Sequence, residues 1–418
     1  MRNSGFLWVI IILFLLLDLY IFQALKVITA NSAARIRTLV YTLYWTVSVI
    51  SLGALIALPY LQFNNLPKGV RTYFLAIIIG LFFSKLIASL FFGIDDLRRG
   101  VTWIASRFTS ASAKSDGEGI SRSVFLSWLG LGVGSAVLGT FIYGFTNKYN
   151  YQLNRVKLAF SNLPDSFRGL KIAHISDLHV GSFMNREAVQ KGIEKILDTQ
   201  PDMILFTGDM VNDHAAEMDR YADLFATLKA PLGVYSILGN HDYGLYALPR
   251  DLNAEERALK INENVDRLKA VHQTLGWRLL MNEHVGIERN GESIALMGVE
   301  NWSMKGNFPK FGQLRKAFEG TSAYPFRILL THDPSHWDGE VLPKYSSIDL
   351  TLSGHTHGMQ FGVETPSFKW SPVQYMYNRW AGLYTEGNQQ LYINRGFGFI
   401  GYPGRIGILP EITLIELT

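Results

Sequence analysis

A chain of 418 residues has room for two or three domains and ample length to bury a core. Apolar residues make up 48% and charged residues only 18%, too little charge for a wholly soluble protein, and the apolar excess lies in the first 150 residues. A net charge of +4 without clustered Lys/Arg gives no reason to expect a nucleic-acid partner, and the absence of cysteine excludes disulfides and thiolate metal sites.

Residues 1–150 read as a transmembrane domain with four helices, at about 5–25, 38–61, 73–94 and 124–145. Each approaches the roughly 20 apolar residues that cross a bilayer. Buried soluble helices are the alternative, and four such lengths in so short a stretch argue against it. The connection 95–123 carries Arg98, Arg99, Arg107, Lys114 and Arg122, and its aromatic stretch 101–108 reads either as an interfacial segment or as a solvated loop. The loops after the first and third spans hold eight Lys/Arg (these five with Lys26, Arg35 and Arg37). The other side holds six: Arg2, Lys68, Arg71, Lys148, Arg155 and Lys157. That balance favours an exported C-terminal domain. Ser121-Arg-Ser-Val-Phe-Leu126 is similar to a twin-arginine export signal, but Ser123 stands where the second arginine belongs. No cleavage site follows, so the segment is expected to remain as an anchor. Gly130, Gly134, Ser135 and Gly139 suit close helix packing in lipid. Two ionisable residues interrupt the spans, Asp18 in the first and Lys85 in the third, at matching depths roughly 20 Å from one membrane face. Charges in lipid are costly, so the two are expected to pair, with snorkelling as the alternative.

Residues 151–418 change character. A buried strand at 170–175 is followed by a helix at 186–199, a strand at 203–207, a helix at 217–228, a strand at 233–238 and a long amphipathic helix at 255–275. Strands at 294–298, 326–331, 348–352, 390–394 and 412–417 complete the pattern. Successive strand–helix units with polar residues at the strand ends predict an α/β sandwich. All ten histidines lie between His174 and His357, so imidazole chemistry belongs to this half.

The strand ends carry Asp177-x-His179, Gly208-Asp209, Gly239-Asn240-His241-Asp242, His332 and Gly354-His355-x-His357. A carboxylate and an imidazole two residues apart leave an extended backbone on one side, a pairing suited to a divalent transition metal. The ordered set resembles the calcineurin-like metallophosphoesterase superfamily over residues 168–418. Thr331-His-Asp-Pro334 and Asn394-Arg-Gly-Phe-Gly are similar to its bacterial membrane-anchored phosphodiesterase branch. The resemblance implies a two-sheet α/β/β/α sandwich and two divalent metal ions, Mn first with Fe or Zn as alternatives. Asp177, His179, Asp209 and His357 would hold one ion, and Asp209, Asn240, His332 and His355 the second, with Asp209 bridging. It also implies attack on phosphorus by a metal-bridging hydroxide, with His241 contacting the phosphate or protonating the leaving oxygen and Asp242 orienting the His241 ring.

The remaining histidines (His174, His214, His272, His284 and His336) read as core or surface, and Asn212 and Asp213 as candidates to support the ligands. The tail from Gly396 to Gly404 lacks the Gly-Lys-Ser/Thr of a P-loop and reads as a loop near the metals. Trp370, Tyr375, Tyr377, Trp380 and Tyr384 form an aromatic cluster that either meets lipid headgroups or packs as core. The expected protein is a multi-pass phosphoesterase of the inner membrane, acting on a phosphodiester or pyrophosphate, with membrane lipids as partners. Its expected substrates include lipid-linked ones such as a phospholipid or UDP-2,3-diacylglucosamine. The rival is a membrane transporter or sensor whose metal site is structural.

Overall fold

The computed structural model describes residues 4–57, 68–108, 122–249, 251–306 and 308–418. The chain divides into two compact units, Met1–Tyr143 and Gly144–Thr418.

The first unit is built from α1 (Ser4–Thr29), α2 (Ala34–Ala57), α3 (Lys68–Ser106) and α4 (Arg122–Gly144). All four are long and apolar enough to cross a membrane. One expectation needs correction, because the third helix does not stop at residue 94. It continues through residues 95–106, so the aromatic stretch expected in a connection is largely helical. No proline interrupts it, and ion pairs one turn apart support it: Arg98 and Arg99 reach Asp95 at 3.0 and 3.4 Å, and Arg99 reaches Asp96 at 2.8 Å. Residues 58–61 of the second expected span, Arg2, Lys114 and Ser121 lie outside the described residues. Of the small residues in α4, Gly130 and Gly134 face α3. A Cβ on Gly130 would sit 2.6 Å from Phe92 Cε1, and one on Gly134 2.9 Å from the Ser84 carbonyl oxygen. Gly139 has open space and makes no such approach.

Asp18 and Lys85 do pair. The Lys85 ammonium lies 2.5 Å from Asp18 Oδ1, and both side chains are buried. Ser48 and Tyr44 of α2 donate to the same oxygen at 2.7 and 2.9 Å, so one carboxylate draws three helices together. The ammonium also rests 4.4 Å from the Phe14 ring centroid. Removing one partner strands a buried charge, which costs about 3–5 kcal/mol. Asp18→Asn and Lys85→Met are each expected to lower the thermal midpoint of the full-length protein in nanodiscs, and the double variant to regain part of the loss. Strictly additive losses would show that the two groups are not coupled.

In the second unit the strands are β1 (Gln152–Leu158), β2 (Lys171–Ile175), β3 (Met203–Phe206), β4 (Val234–Ser236) and β5 (Arg278–Leu279). Then come β6 (Glu283–Arg289), β7 (Glu292–Gly298), β8 (Arg327–Leu330), β9 (Leu350–Ser353), β10 (Val363–Thr365) and β11 (Phe368–Trp370). The chain ends with β12 (Gly382–Glu386), β13 (Gln389–Ile393) and β14 (Glu411–Leu417). One sheet has the order β1-β14-β2-β3-β4-β5, a second β12-β13-β9-β8-β7-β6, and β10-β11 form a separate hairpin. The strands at the heart of each sheet, β2-β3-β4 and β7-β8-β9, are parallel.

Alternation along these strands builds the layers. Ile172, Met203 and Leu205 point into a core shared with Leu296, Ile328, Leu330, Leu350 and Leu352 of the other sheet. Their neighbours Ala173, Ile175, Ile204 and Phe206 turn the opposite way, onto α5 (Arg186–Leu197) and the later helix Ala254–Leu275. The second sheet buries its outer face likewise, with Met297, Leu329, Leu391 and Ile393 against Trp337 and Val341. This is the expected α/β/β/α sandwich, whose strands are buried on both faces and therefore read as continuous apolar runs. The helix expected at 217–228 is instead a 3₁₀ segment, Ala215–Arg220, followed by a short turn of helix at Ala222–Phe225. Parallel strands of both sheets end at the same place, and that is where the polar residues gather.

Candidate metal centre

Asp177 and His179 follow β2, Asp209 follows β3, Asn240 follows β4, His332 follows β8, and His355 and His357 follow β9. The structure brings all seven together. Ligand atoms of Asp177, His179 and His357 lie within 4.8 Å of one another, as do those of Asp209, His332 and His355. Asp209 Oδ2 joins the groups, lying 3.6 Å from His179 Nε2 and 3.1 Å from His332 Nε2. Asn240 Oδ1 meets His355 Nδ1 at 2.8 Å, and His179 Nε2 faces His357 Nε2 at 3.0 Å. Six of the seven are buried, and His355 is partly exposed.

The backbone is strained where these residues sit. Asp177, His179, Asp209, His355 and His357 have φ of 54°, 47°, 60°, 73° and 49°, half of the ten non-glycine residues with positive φ among those described. Each such residue costs about 1–3 kcal/mol unless it is held by its surroundings, so their gathering in one pocket marks a functional site. Gly208, at φ +92°, permits a close approach of two loops, since a Cβ there would lie 2.4 Å from the Gly239 nitrogen.

Hydrogen bonds on the far side of each ring fix which nitrogen faces inward. His179 Nδ1 donates to the Val211 carbonyl at 3.2 Å, and His332 Nδ1 to the Thr207 carbonyl at 2.7 Å. His355 Nε2 donates to the Tyr377 hydroxyl at 2.9 Å, which itself donates to Asp333 at 3.2 Å. The inward nitrogens of His179 and His355 are left with lone pairs, that of His355 aimed at the Asn240 oxygen at 2.8 Å, whereas His357 Nδ1 accepts from the Arg405 guanidinium at 3.2 Å. Such a donor set fits cations, because two facing acceptors 2.8 Å apart, His355 Nδ1 and Asn240 Oδ1, otherwise repel.

Electrostatics follow the same arrangement. Burial raises the carboxyl pKa values of Asp177 and Asp209, but the surrounding imidazoles, His357 first for Asp177 and His332 first for Asp209, overcome it and hold both well below the usual range. Burial pulls His179, His355 and His357 below the ordinary imidazole value, which favours their neutral form. Burial also disfavours charge on His332, but the Asp209 carboxylate outweighs it and lifts that ring to about 10.

Asp242 has a different role from the one expected. Its carboxylate accepts from the backbone N–H groups of Gly239, Asp209, Met210 and Val211 at 2.8–3.2 Å, which leaves it to tie two ligand loops together. Four backbone donors outcompete a neighbouring ring, and the His241 imidazole donates instead from Nδ1 to the Asn212 carbonyl at 2.7 Å. Burial and the Asp209 charge lift Asp242 to about 7 against those donors. Asn212 therefore supports the site through its backbone.

Tyr246, Tyr377, Asp333 and Arg405 also belong to the site, and strand-end reading missed them. The Tyr246 hydroxyl accepts from Asn240 Nδ2 at 2.8 Å, its ring lies 4.5 Å from His241, and it is half exposed. Fully buried Arg405 donates to the carbonyls of His357 and Arg395 at 3.2 and 2.8 Å and to that of Gly398, clamping the glycine-rich tail behind His357. The hints in the sequence were the aromatic cluster containing Tyr377 and the stretch Thr331-His-Asp-Pro334 containing Asp333. The histidines outside the set keep ordinary partners, as with His174 on Thr207 and His272 on the Leu268 carbonyl.

Comparison with known proteins places this geometry. The family model for calcineurin-like phosphoesterases matches residues 170–359, and the model for the transmembrane domain of such phosphoesterases matches residues 1–148. The metallophosphoesterase YkuE of Bacillus subtilis is 30% identical over 262 residues, 62% of this chain and 82% of that protein. The chain belongs to the calcineurin-like phosphoesterase family. Membership bears out the resemblance of the five motifs, and the transmembrane match makes this family member a membrane protein. The UDP-2,3-diacylglucosamine pyrophosphatase LpxG of Chlamydia trachomatis is 28% identical over 60% of this chain and 86% of its own length. A transmembrane protein with a metallophosphoesterase domain from Danio rerio is 28% identical over 63% of this chain, and the chain spans only 56% of that protein.

Three variants separate metal binding from turnover at this site. His355→Ala is expected to lose metal affinity, and Tyr377→Phe to weaken it about 10–100-fold through the freed ring. His241→Ala is expected to keep its metal and lose turnover by roughly 10²–10⁴. Equal metal content in all three, by elemental analysis, would refute the division. His332 adds a pH dependence. Its pKa in the metal-free fold lies above the ordinary 6.5, so the stabilisation it gives that fold is complete below about 6.5 and is lost as pH rises through about 10. An ion must displace that proton, so metal affinity is expected to rise up to about tenfold per pH unit between 6.5 and 9. A flat profile in competition titrations would contradict it.

Proposed function

We propose that the protein is a membrane-tethered two-metal phosphoesterase that hydrolyses a phosphodiester or pyrophosphate, with a lipid-linked molecule as substrate. One observation carries the reading: seven donors from both sheets converge, with Asp209 within reach of both groups. Asp177, His179, Asp209 and His357 would hold one divalent ion, and Asp209, Asn240, His332 and His355 the other. The imidazole and carboxylate donors suit Mn, and also Fe or Zn. Such ions supply Lewis acidity toward phosphoryl oxygens and acidify water to near neutrality. His241 is held through Nδ1, which leaves Nε2 to handle the proton at the leaving oxygen. Half-exposed Tyr246 stands beside it, its ring 4.5 Å away, placed to meet the substrate's polar end.

The lipid-linked substrate is supported by the four apolar helices and by the name of the chlamydial relative. We place the protein in the inner membrane with its metal domain exported, on the balance of basic loop residues. A nucleotide-linked lipid made in the cytoplasm would require the opposite side, and a C-terminal topology reporter distinguishes the two. With Mn²⁺ added, the purified full-length protein is expected to turn over a chromogenic phosphodiester, to lose the activity on chelation and to regain it on reloading. Metal binding without hydrolysis across a panel that includes lipid esters would favour a structural metal site in a sensor or transporter.

A further inference from the structure

The hairpin β10–β11 leaves its apolar residues as open as its charged ones. Its register pairs Val363 with Trp370, Glu364 with Lys369 and Thr365 with Phe368. Val363, Thr365, Phe368 and Trp370 therefore share one face, and Glu364 and Lys369 the other. In a soluble protein the charged face turns to water. Here Glu364 binds the Arg395 guanidinium at 2.9 Å, and Lys369 donates to the Ala381 carbonyl at 2.5 Å and the Tyr384 hydroxyl at 3.2 Å. The apolar face is left outside, with Val363 50% and Phe368 57% exposed. The next turn adds Tyr375 at 77% and Met376 at 52%. This excursion has its own small core of Val373, Tyr377, Trp380, Ala381 and Ile408, so the exposure does not come from a segment lacking packing.

We infer that this face rests on the lipid bilayer, as the surface by which the metal domain docks onto its own membrane. Two observations select a bilayer as occupant. Within the second unit, Phe361 at the foot of the hairpin pairs with Ile406, and Arg405 N donates to the carbonyl of Gly144 at 3.0 Å. Gly144 is the last residue of the fourth apolar span, so the hairpin is hydrogen-bonded close to where the chain leaves that span. The exposed set, two aromatics with Val and Met, also has the composition of a membrane-interface contact, with no exposed ion pair on that face. The same excursion carries the site: Trp380 O accepts from Thr356 Oγ1 at 2.6 Å, and Ser371 Oγ donates to Gly358 O at 2.7 Å. Docking would thus hold the ligand loop beside the headgroups. The inference rests on the membrane location and does not require hydrolysis.

The chain has no cysteine, so single labelling sites carry no background. Phe368→Cys, Tyr375→Cys and Met376→Cys, each spin-labelled in the full-length protein in nanodiscs, are compared with Leu259→Cys on the long helix of the metal domain. Power saturation with oxygen and with a nickel chelate reads the surroundings. Docking predicts high oxygen and low nickel accessibility at two or more of the three positions, and an aqueous signature at 259. High nickel accessibility at all three would overturn the inference, and so would protection from both reagents, which marks a protein partner or a second copy. A lipid signature in a protein that hydrolyses no phosphoester leaves docking standing and removes the proposed reaction instead.

Discussion

Asp209 Oδ2 lies 3.6 Å from one candidate ligand and 3.1 Å from another on a different sheet, and much of the site's construction follows from that shared oxygen. For one carboxylate to serve two groups of imidazoles, the ends of β3 and β8 must meet, so the two sheets must pack with their parallel strands ending together. The leucine and isoleucine core between them enforces this. Where these donors crowd together, the backbone takes left-handed turns at five candidate ligand positions. That strain and the burial of charge weigh against stability in the metal-free protein, and cations would relieve the second.

The pattern of support around the ligands differs between the two groups. His179 and His332 lean on backbone carbonyls, the arrangement least open to variation. His355 and Asn240 depend on phenols, Tyr377 and Tyr246. Tyr377 belongs to the excursion that carries the exposed apolar face, so the second group of ligands is physically continuous with the proposed lipid contact. A substrate whose phosphate sits at a bilayer surface suits a site so arranged.

Much of this was legible in the sequence. Parallel strands buried on both faces appear as short apolar runs, and the ligand residues follow them at once, so strands and ligands announce each other. Supporting residues obey no such local rule. Asp242 follows His241 directly, and chain adjacency suggested that it orients that ring. The loops fold so that four backbone N–H groups reach the carboxylate first. Arg405 lies 48 residues beyond the ligand whose carbonyl it holds, a distance that no motif spans. In the membrane half, matching depth revealed the pairing of Asp18 with Lys85. The contributions of Tyr44 and Ser48 stayed hidden because hydroxyls are unremarkable in apolar helices. The third helix ran past its expected end because charge marks the edge of the bilayer, not the end of a helix.

The central claim is a two-ion centre that hinges on one carboxylate. Calorimetric titration of the metal-free full-length protein with Mn²⁺, set beside the Asp209→Asn variant, tests it most directly. The account predicts two ions per chain in the natural protein and weakening at both sites in the variant, since the lost charge served each. Two ions bound with unchanged affinity after the substitution, or a single ion in the natural protein, would contradict it.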